Sequence, residues 1–186
     1  MSAKGSITTS DYLDWYMVKD KAIKLLDNKK ERAYGLYILL AINTGYRMGD
    51  ILGLKYEDLA NGEIEMREEK TNKVRTMPIP KSILPFFKGT GYIFVGQKGN
   101  EPLTPQQINR KLKQVFAKEL SRDNLKISSH SLRKTFGREY WNRQDRSEEA
   151  LTELMENFNH TSMGVTKTYL GITKENVRKK ISAVFE

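Results

Sequence analysis

Cysteine is missing from all 186 residues, so the chain has no disulfide, no thiolate metal ligand and no thiol nucleophile, which suits a reducing compartment such as the cytoplasm. Histidine is almost as scarce. Two imidazoles, His130 and His160, with no cysteine beside them make a poor zinc site, and no metal is expected. Long apolar runs are absent too: the longest, LYILLAI, has seven residues, and no stretch has the build of a signal peptide, so no membrane span is expected. The phosphate-cradling pattern G-x-x-x-x-G-K-[ST] does not occur, and no cofactor is expected. Internal repeats, low-complexity tracts and an obvious domain boundary are likewise missing.

What is present in excess is positive charge. Lys+Arg 32 against Asp+Glu 23 gives a formal net charge of +9, which makes a polyanion, double-stranded DNA first, the natural partner. The lysines and arginines are scattered through KDKAIKLLDNKK, NRKLKQVFAK and ENVRKK rather than gathered in one block. Scatter of that kind also describes an ordinary soluble surface, so charge alone does not decide the matter.

The hydropathy pattern predicts an α+β fold, mainly helical with a small antiparallel sheet. After a polar, flexible lead-in over 1–11, helices are expected over 12–26 and 31–43, the second nearly apolar all round and therefore buried. Thr44-Gly45 ends it, and a third helix is expected from Tyr46-Arg47 to Leu54. From Gly62 the period changes to two: Ile64 and Met66 alternate with Glu63, Glu65 and Arg67, a second strand runs from Val74 to Ile79, and EKTNK supplies the turn between them. A short third strand is expected over Tyr92–Val95. Thr104-Pro105 opens a helix carrying Ile108, Leu112, Val115 and Phe116. Four more helices are expected, over 131–142, 148–158, 163–170 and 174–185, with Ser147, Ser162 and Thr173 as caps.

Three short stretches place chemistry-bearing residues together. NTGYRMGDIL sets Arg47 beside a helix N-terminus just after a tight glycine turn, where free N–H groups and the dipole already favour an anion. HSLRKTFG puts His130 and Arg133 three residues apart, on one helical face. FNHTSMGVTKTYLGI holds His160 and, nine residues on, Tyr169. Taken singly, each also fits a packing or surface role.

Their order is more specific. Arg47, then Lys70 in a hairpin turn, then His130-x-x-Arg133, then His160, then Tyr169 closely resembles the catalytic set of the tyrosine recombinases, also called the phage integrase family. The surrounding strings TGYRMGDILGL, KTNKVRTMPIP, HSLRKTFG and LMENFNHTSMGVTKTYLG are similar to that family as well, and the likeness spans about residues 31 to 172. Asp50 stands where the family more often has Glu, and RQDRSEEALTE lengthens the interval between Arg133 and His160. Lys73 shares the turn with Lys70, which leaves two candidates for one role.

The resemblance implies a tyrosine recombinase catalytic fold over 12–186, with the core-binding domain usual in the family absent. It also implies site-specific cleavage and rejoining of DNA through a 3'-phosphotyrosyl bond, by a protein monomeric when free and tetrameric on DNA. Arg47 and Arg133 would stabilise the phosphorus transition state, His160 would bond the same oxygens, His130 would take or relay the tyrosine proton, Lys70 would protonate the leaving 5'-oxygen and Tyr169 would attack. The same residues fit a type IB topoisomerase, and a non-catalytic DNA-binding module is a third reading.

Overall fold

The structure is a computed structural model that describes residues 10–67, 74–96, 101–172 and 181–185. The first helix, α1 (Trp15–Leu26), is capped by the Asp14 carboxylate, which accepts from the Met17 N–H at 2.7 Å, and buries Val18, Ala22 and Leu26 at four-residue spacing. Next comes α2 (Arg32–Thr44), the centre of the domain, which lies against α1 on one side and against a later helix, α6 (Ser129–Arg143), on the other. Its residues from Leu36 to Ile42 are all buried, as an unbroken apolar run requires. Gly45 ends it at φ 63°, a left-handed conformation, and a Cβ there would also drive into the Phe136 ring at 2.3 Å.

The third helix is shorter than the pattern predicts. α3 covers only Met48–Leu52, with Arg47 in extended conformation as its N-cap, because the chain needs Tyr46 and Arg47 to leave the Gly45 turn before helix can resume. The sheet has two strands, β1 (Glu63–Arg67) and β2 (Val74–Pro78), antiparallel in register from Glu63 opposite Pro78 to Arg67 opposite Val74. Ile64 is buried while Glu63, Glu65 and Arg67 are exposed, the alternation read from the sequence. Residues 68–73, with Lys70 and Lys73, lie outside the described residues. The expected third strand is instead a pair of isolated bridges, Tyr92 to Lys55 and Val95 to Pro102. Pro102 has no N–H to extend a ladder.

Beyond the loop, α4 (Pro105–Val115) opens with a reciprocal cap: Thr104 Oγ1 accepts from the Gln107 N–H and Gln107 Oε1 accepts from the Thr104 N–H, at 3.3 and 2.7 Å. A further helix, α5 (Ala117–Asp123), escapes the periodicity because none of its residues is buried, so it carries no apolar stripe. Ser128 caps α6, which therefore begins two residues before the predicted start. The chain then forms α7 (Glu148–Phe158) and α8 (Met163–Tyr169), capped by Ser147 and Ser162 as predicted. Residues 181–185 are helical, and Thr173 with the start of the predicted last helix lies outside the described residues.

Two apolar clusters result. The larger surrounds α2, and the smaller joins Leu151, Leu154, Phe158, Tyr169 and Leu170, with Phe136 and Tyr140 of α6 against it. Gly137 is what lets α6 approach that second cluster. A Cβ at 137 would meet Leu170 Cδ2 at 2.6 Å and the Phe158 ring at 3.0 Å, all buried atoms. Overpacking a filled site costs about 1–3 kcal/mol, more than the roughly 1 kcal/mol that a mid-helix Gly→Ala change returns. Gly137→Ala should therefore lower the urea midpoint with an unchanged m-value.

Candidate active site

Arg133 sits one turn into α6 and is 5% exposed, unusual for a guanidinium unless it is fully engaged. Its Nη1 donates to the carbonyl of Gly45, its Nη2 donates to the carbonyl of Phe158 at 3.3 Å, and its plane lies 4.2 Å above the Phe158 ring. Arg47, half-buried at the start of α3, donates from Nη2 to the same Phe158 carbonyl at 3.1 Å. Two like charges are thus gathered at one oxygen. The local fold explains why that oxygen is presented: α7 ends at Phe158, Asn159 turns left-handed at φ 52°, and a last-turn carbonyl is left facing out of the helix.

The same turn delivers His160. Its N–H bonds the Met155 carbonyl at 2.9 Å, its Nδ1 pairs with the Thr166 hydroxyl at 3.0 Å, and its ring meets the rings of Phe158 and Tyr169 edge-on, centroids 5.4 and 5.1 Å away. Burial first, then the charges of Arg133 and Arg47, push the His160 pKa down to about 4, so the imidazole is neutral at physiological pH.

Tyr169 closes α8 and is 8% exposed, wedged between Phe158, His160 and the Lys134 ammonium, which lies 5.1 Å from the ring centroid. Its hydroxyl is buried and meets no partner in full hydrogen-bond geometry, although the Arg133 guanidinium interacts with it. Burial drives the phenol pKa up to about 12 against the opposing pull of Arg133 and Arg47. Buried hydroxyls are ordinarily well paired, so a poorly satisfied phenol beside two guanidiniums marks a candidate reactive group.

The arrangement brings Arg47, Arg133, His160 and Tyr169 together around the end of α7. His130 is exposed at the first turn of α6. Lys70 lies outside the described residues.

A family model for the phage integrase family matches residues 16–176. The chain belongs to that family. Among curated relatives, "Probable integrase/recombinase YoeC" of Bacillus subtilis (strain 168) is 31% identical over 159 residues, covering 81% of this chain and 83% of that protein. "Tyrosine recombinase XerA" of Pyrococcus furiosus is 28% identical over 173 residues, 87% of this chain but 57% of the relative. Among solved structures, the XerH site-specific recombinase bound to palindromic difH in a post-cleavage complex matches 100% of this chain and 56% of that one, at TM-score 0.64 and 21% identity. The catalytic domain of bacteriophage HP1 integrase matches 93% and 94% of the two chains, at TM-score 0.58 and 17% identity. This chain therefore spans little more than half the length of XerA and XerH, and its fold is that of the tyrosine recombinase catalytic domain.

As a phage integrase family member the chain also shows residues that the motif reading passed over. Lys134, the neighbour of Arg133 in HSLRKTFG, is buried against Tyr169, and burial lowers its pKa. Thr166 fixes the His160 ring. Arg75 turns inward from β2, a placement the two-residue period of VRTMP does predict.

The histidine gives a testable pH signature. Because its folded pKa lies below the unfolded value near 6.5, the unfolded chain takes up the extra proton, and stability should fall as pH drops from about 6.5 to about 4. Subtracting the melting-temperature profile of His160→Gln from that of the parent should leave a step in that window, and a flat difference would remove the assigned burial.

Proposed function

We propose that this chain is the catalytic unit, residues 12–186, of a site-specific DNA recombinase that cuts and rejoins strands through a 3'-phosphotyrosyl intermediate. The observation that carries the reading is the convergence of Arg47 and Arg133 on one carbonyl oxygen beside a buried, poorly satisfied tyrosine hydroxyl. The Phe158 and Gly45 carbonyls hold the donors that a phosphate oxygen would take.

In the reaction the Tyr169 oxygen attacks the scissile phosphorus, a phosphotyrosyl bond forms and the bond to the 5'-oxygen breaks. Arg47 and Arg133 hold the charge that gathers on the non-bridging oxygens, and neutral His160 donates a further hydrogen bond there. His130 takes or relays the phenol proton, and Lys70, with Lys73 as the alternative on the same turn, protonates the departing 5'-oxygen. A phosphodiester is exchanged for a phosphoester of similar energy, so no nucleotide is consumed.

Double-stranded DNA is the partner, met in the cytoplasm, and the working form on DNA is a homotetramer built from free monomers. Ile181, Val184 and Phe185 of the final helical segment are 54%, 75% and 84% exposed, an apolar tail that suits a neighbouring copy better than water. The topoisomerase reading requires the DNA but no neighbouring copy, and a supercoiled plasmid separates the two. A recombinase should relax it poorly, whereas efficient relaxation by the monomer would favour a topoisomerase.

With a net charge of +9, DNA binding should be steeply salt-dependent, log K falling by roughly 0.9 per phosphate contact per decade of salt. Fluorescence anisotropy across a salt series measures the slope. The decisive test of the reading is incubation with a nicked half-site, which should trap a covalent protein-DNA species that survives denaturation.

A further inference from the structure

The β1–β2 hairpin is a two-stranded ribbon, and such ribbons are marginal in isolation. Something must hold it to the domain if a group on its turn is to meet a phosphate repeatedly in one geometry. The side chain placed to do so is Arg75, opposite Met66 in the second rung from the turn. Its Nη2 donates to the Thr44 carbonyl at 2.9 Å and to Asn157 Oδ1, and its guanidinium stacks 4.2 Å from the centre of the Tyr46 ring. The Tyr46 hydroxyl returns the contact, donating to the Arg75 carbonyl at 2.9 Å with the Ile64 carbonyl of β1 at 3.3 Å.

Each anchor point lies one residue from the arginine-holding carbonyls. Thr44 precedes Gly45 and Asn157 precedes Phe158, the two residues whose carbonyls hold Arg133 and Arg47. One inward-facing arginine thus clamps the hairpin, the end of α2 and the end of α7 to a common frame, close to the turn end of the ribbon.

We propose that Arg75 is a positioning residue that acts through the proton donor on the hairpin turn. The inference rests on the reading of Lys70, or its turn neighbour Lys73, as that donor. The Arg75 contacts with Thr44, Tyr46 and Asn157 all tie the ribbon to the frame, and its effect on chemistry comes from where it holds that ribbon. An arm misplaced by an ångström can cost on the order of 10²-fold in rate.

The test uses two half-site substrates, one with the natural bridging 5'-oxygen and one with sulfur in its place, because a thiolate leaves without a proton. Arg75→Met should slow cleavage of the oxygen substrate by roughly 10²-fold, leave DNA affinity within about twofold, and regain most of the parental rate on sulfur. Asn157→Ala, which removes one anchor and keeps the arginine, should show the same pattern to a smaller degree. Adding Lys70→Ala to Arg75→Met should slow the oxygen reaction no further than Lys70→Ala alone.

If Lys70→Ala or Lys73→Ala is rescued by sulfur and Arg75→Met is not, Arg75 acts on the non-bridging oxygens or on the fold, and the proposal is wrong. Parental rates for both Arg75→Met and Asn157→Ala on the oxygen substrate would overturn it equally. Should neither lysine variant be rescued, the turn donor itself is misassigned and this inference falls with it.

Discussion

Tyr169→Phe should bind DNA as tightly as the parent, form no covalent adduct at all, and unfold at a slightly higher temperature. The three results belong together. Removing one oxygen leaves the ring, its edge contacts with Phe158 and His160, and the Lys134 ammonium over its face in place, so the phosphate-binding surface is unchanged. On the proposed mechanism the lost oxygen is the nucleophile, and neither the two guanidiniums nor the His160 imidazole could replace it. It is also a buried hydroxyl with no partner in full hydrogen-bond geometry, so its desolvation is poorly compensated in the folded chain. Deleting such a group should stabilise the domain by up to about 1 kcal/mol, where deletion of a paired hydroxyl would destabilise it. Half-site trapping, anisotropy and thermal melting read the three outcomes separately. A rise in stability with loss of chemistry is the mark of a residue kept for reaction and not for packing.

Arg133→Ala should cost more in two currencies at once. By comparison with removal of a single oxyanion donor, the lost stabilisation of the transition state is about 2.7–4 kcal/mol, or 10²–10³ in cleavage rate. The fold suffers too, because the side chain is buried, bridges the Gly45 and Phe158 carbonyls and stacks on the Phe158 ring. The Gly45 carbonyl loses its donor, at roughly 1–3 kcal/mol if it is left buried, whereas the Phe158 carbonyl keeps Arg47. Arg133→Lys keeps the charge but not the fork that spans two oxygens, and should recover little of the rate. Arg47→Ala, at a half-buried position, should lose a similar factor in rate with a smaller loss of stability. Neither variant should be rescued by a sulfur leaving group, since on the proposed mechanism both arginines act on the non-bridging oxygens. Single-turnover cleavage and urea denaturation of the same preparations check both halves.

The helical frame was legible where local signals are strong. An apolar run inside a segment of helical length, closed by Thr44-Gly45, reads as a buried helix, which gave α2, and Ser147 and Ser162 announced α7 and α8 by capping chemistry. Legibility failed where position depends on partners far along the chain. α5 carries no apolar face to reveal it, and Tyr92–Val95 has strand composition without a neighbour that can extend a ladder. The site was half legible. Its residue types and order are visible in the sequence, but nothing local says that Arg47 and Arg133, 86 positions apart in number (133 minus 47), share the Phe158 carbonyl, because that contact is made by the end of a third element. Nor does sequence show that Tyr169 is buried or that Lys134 lies across its ring. A lysine one residue beyond Arg133 reads as a surface charge until α6 is packed on both sides.

The central claim, that the Tyr169 oxygen becomes joined to DNA phosphorus, is tested most directly by mapping the covalent adduct. The full chain is incubated with a nicked half-site, digested with trypsin, and the nucleotide-bearing peptide is sequenced by mass spectrometry. The expected product is the peptide TYLGITK, residues 168–174, carrying a 3'-phosphoryl nucleotide on Tyr169. A nucleotide on any other residue, or no adduct from a preparation that binds the half-site, would contradict the account.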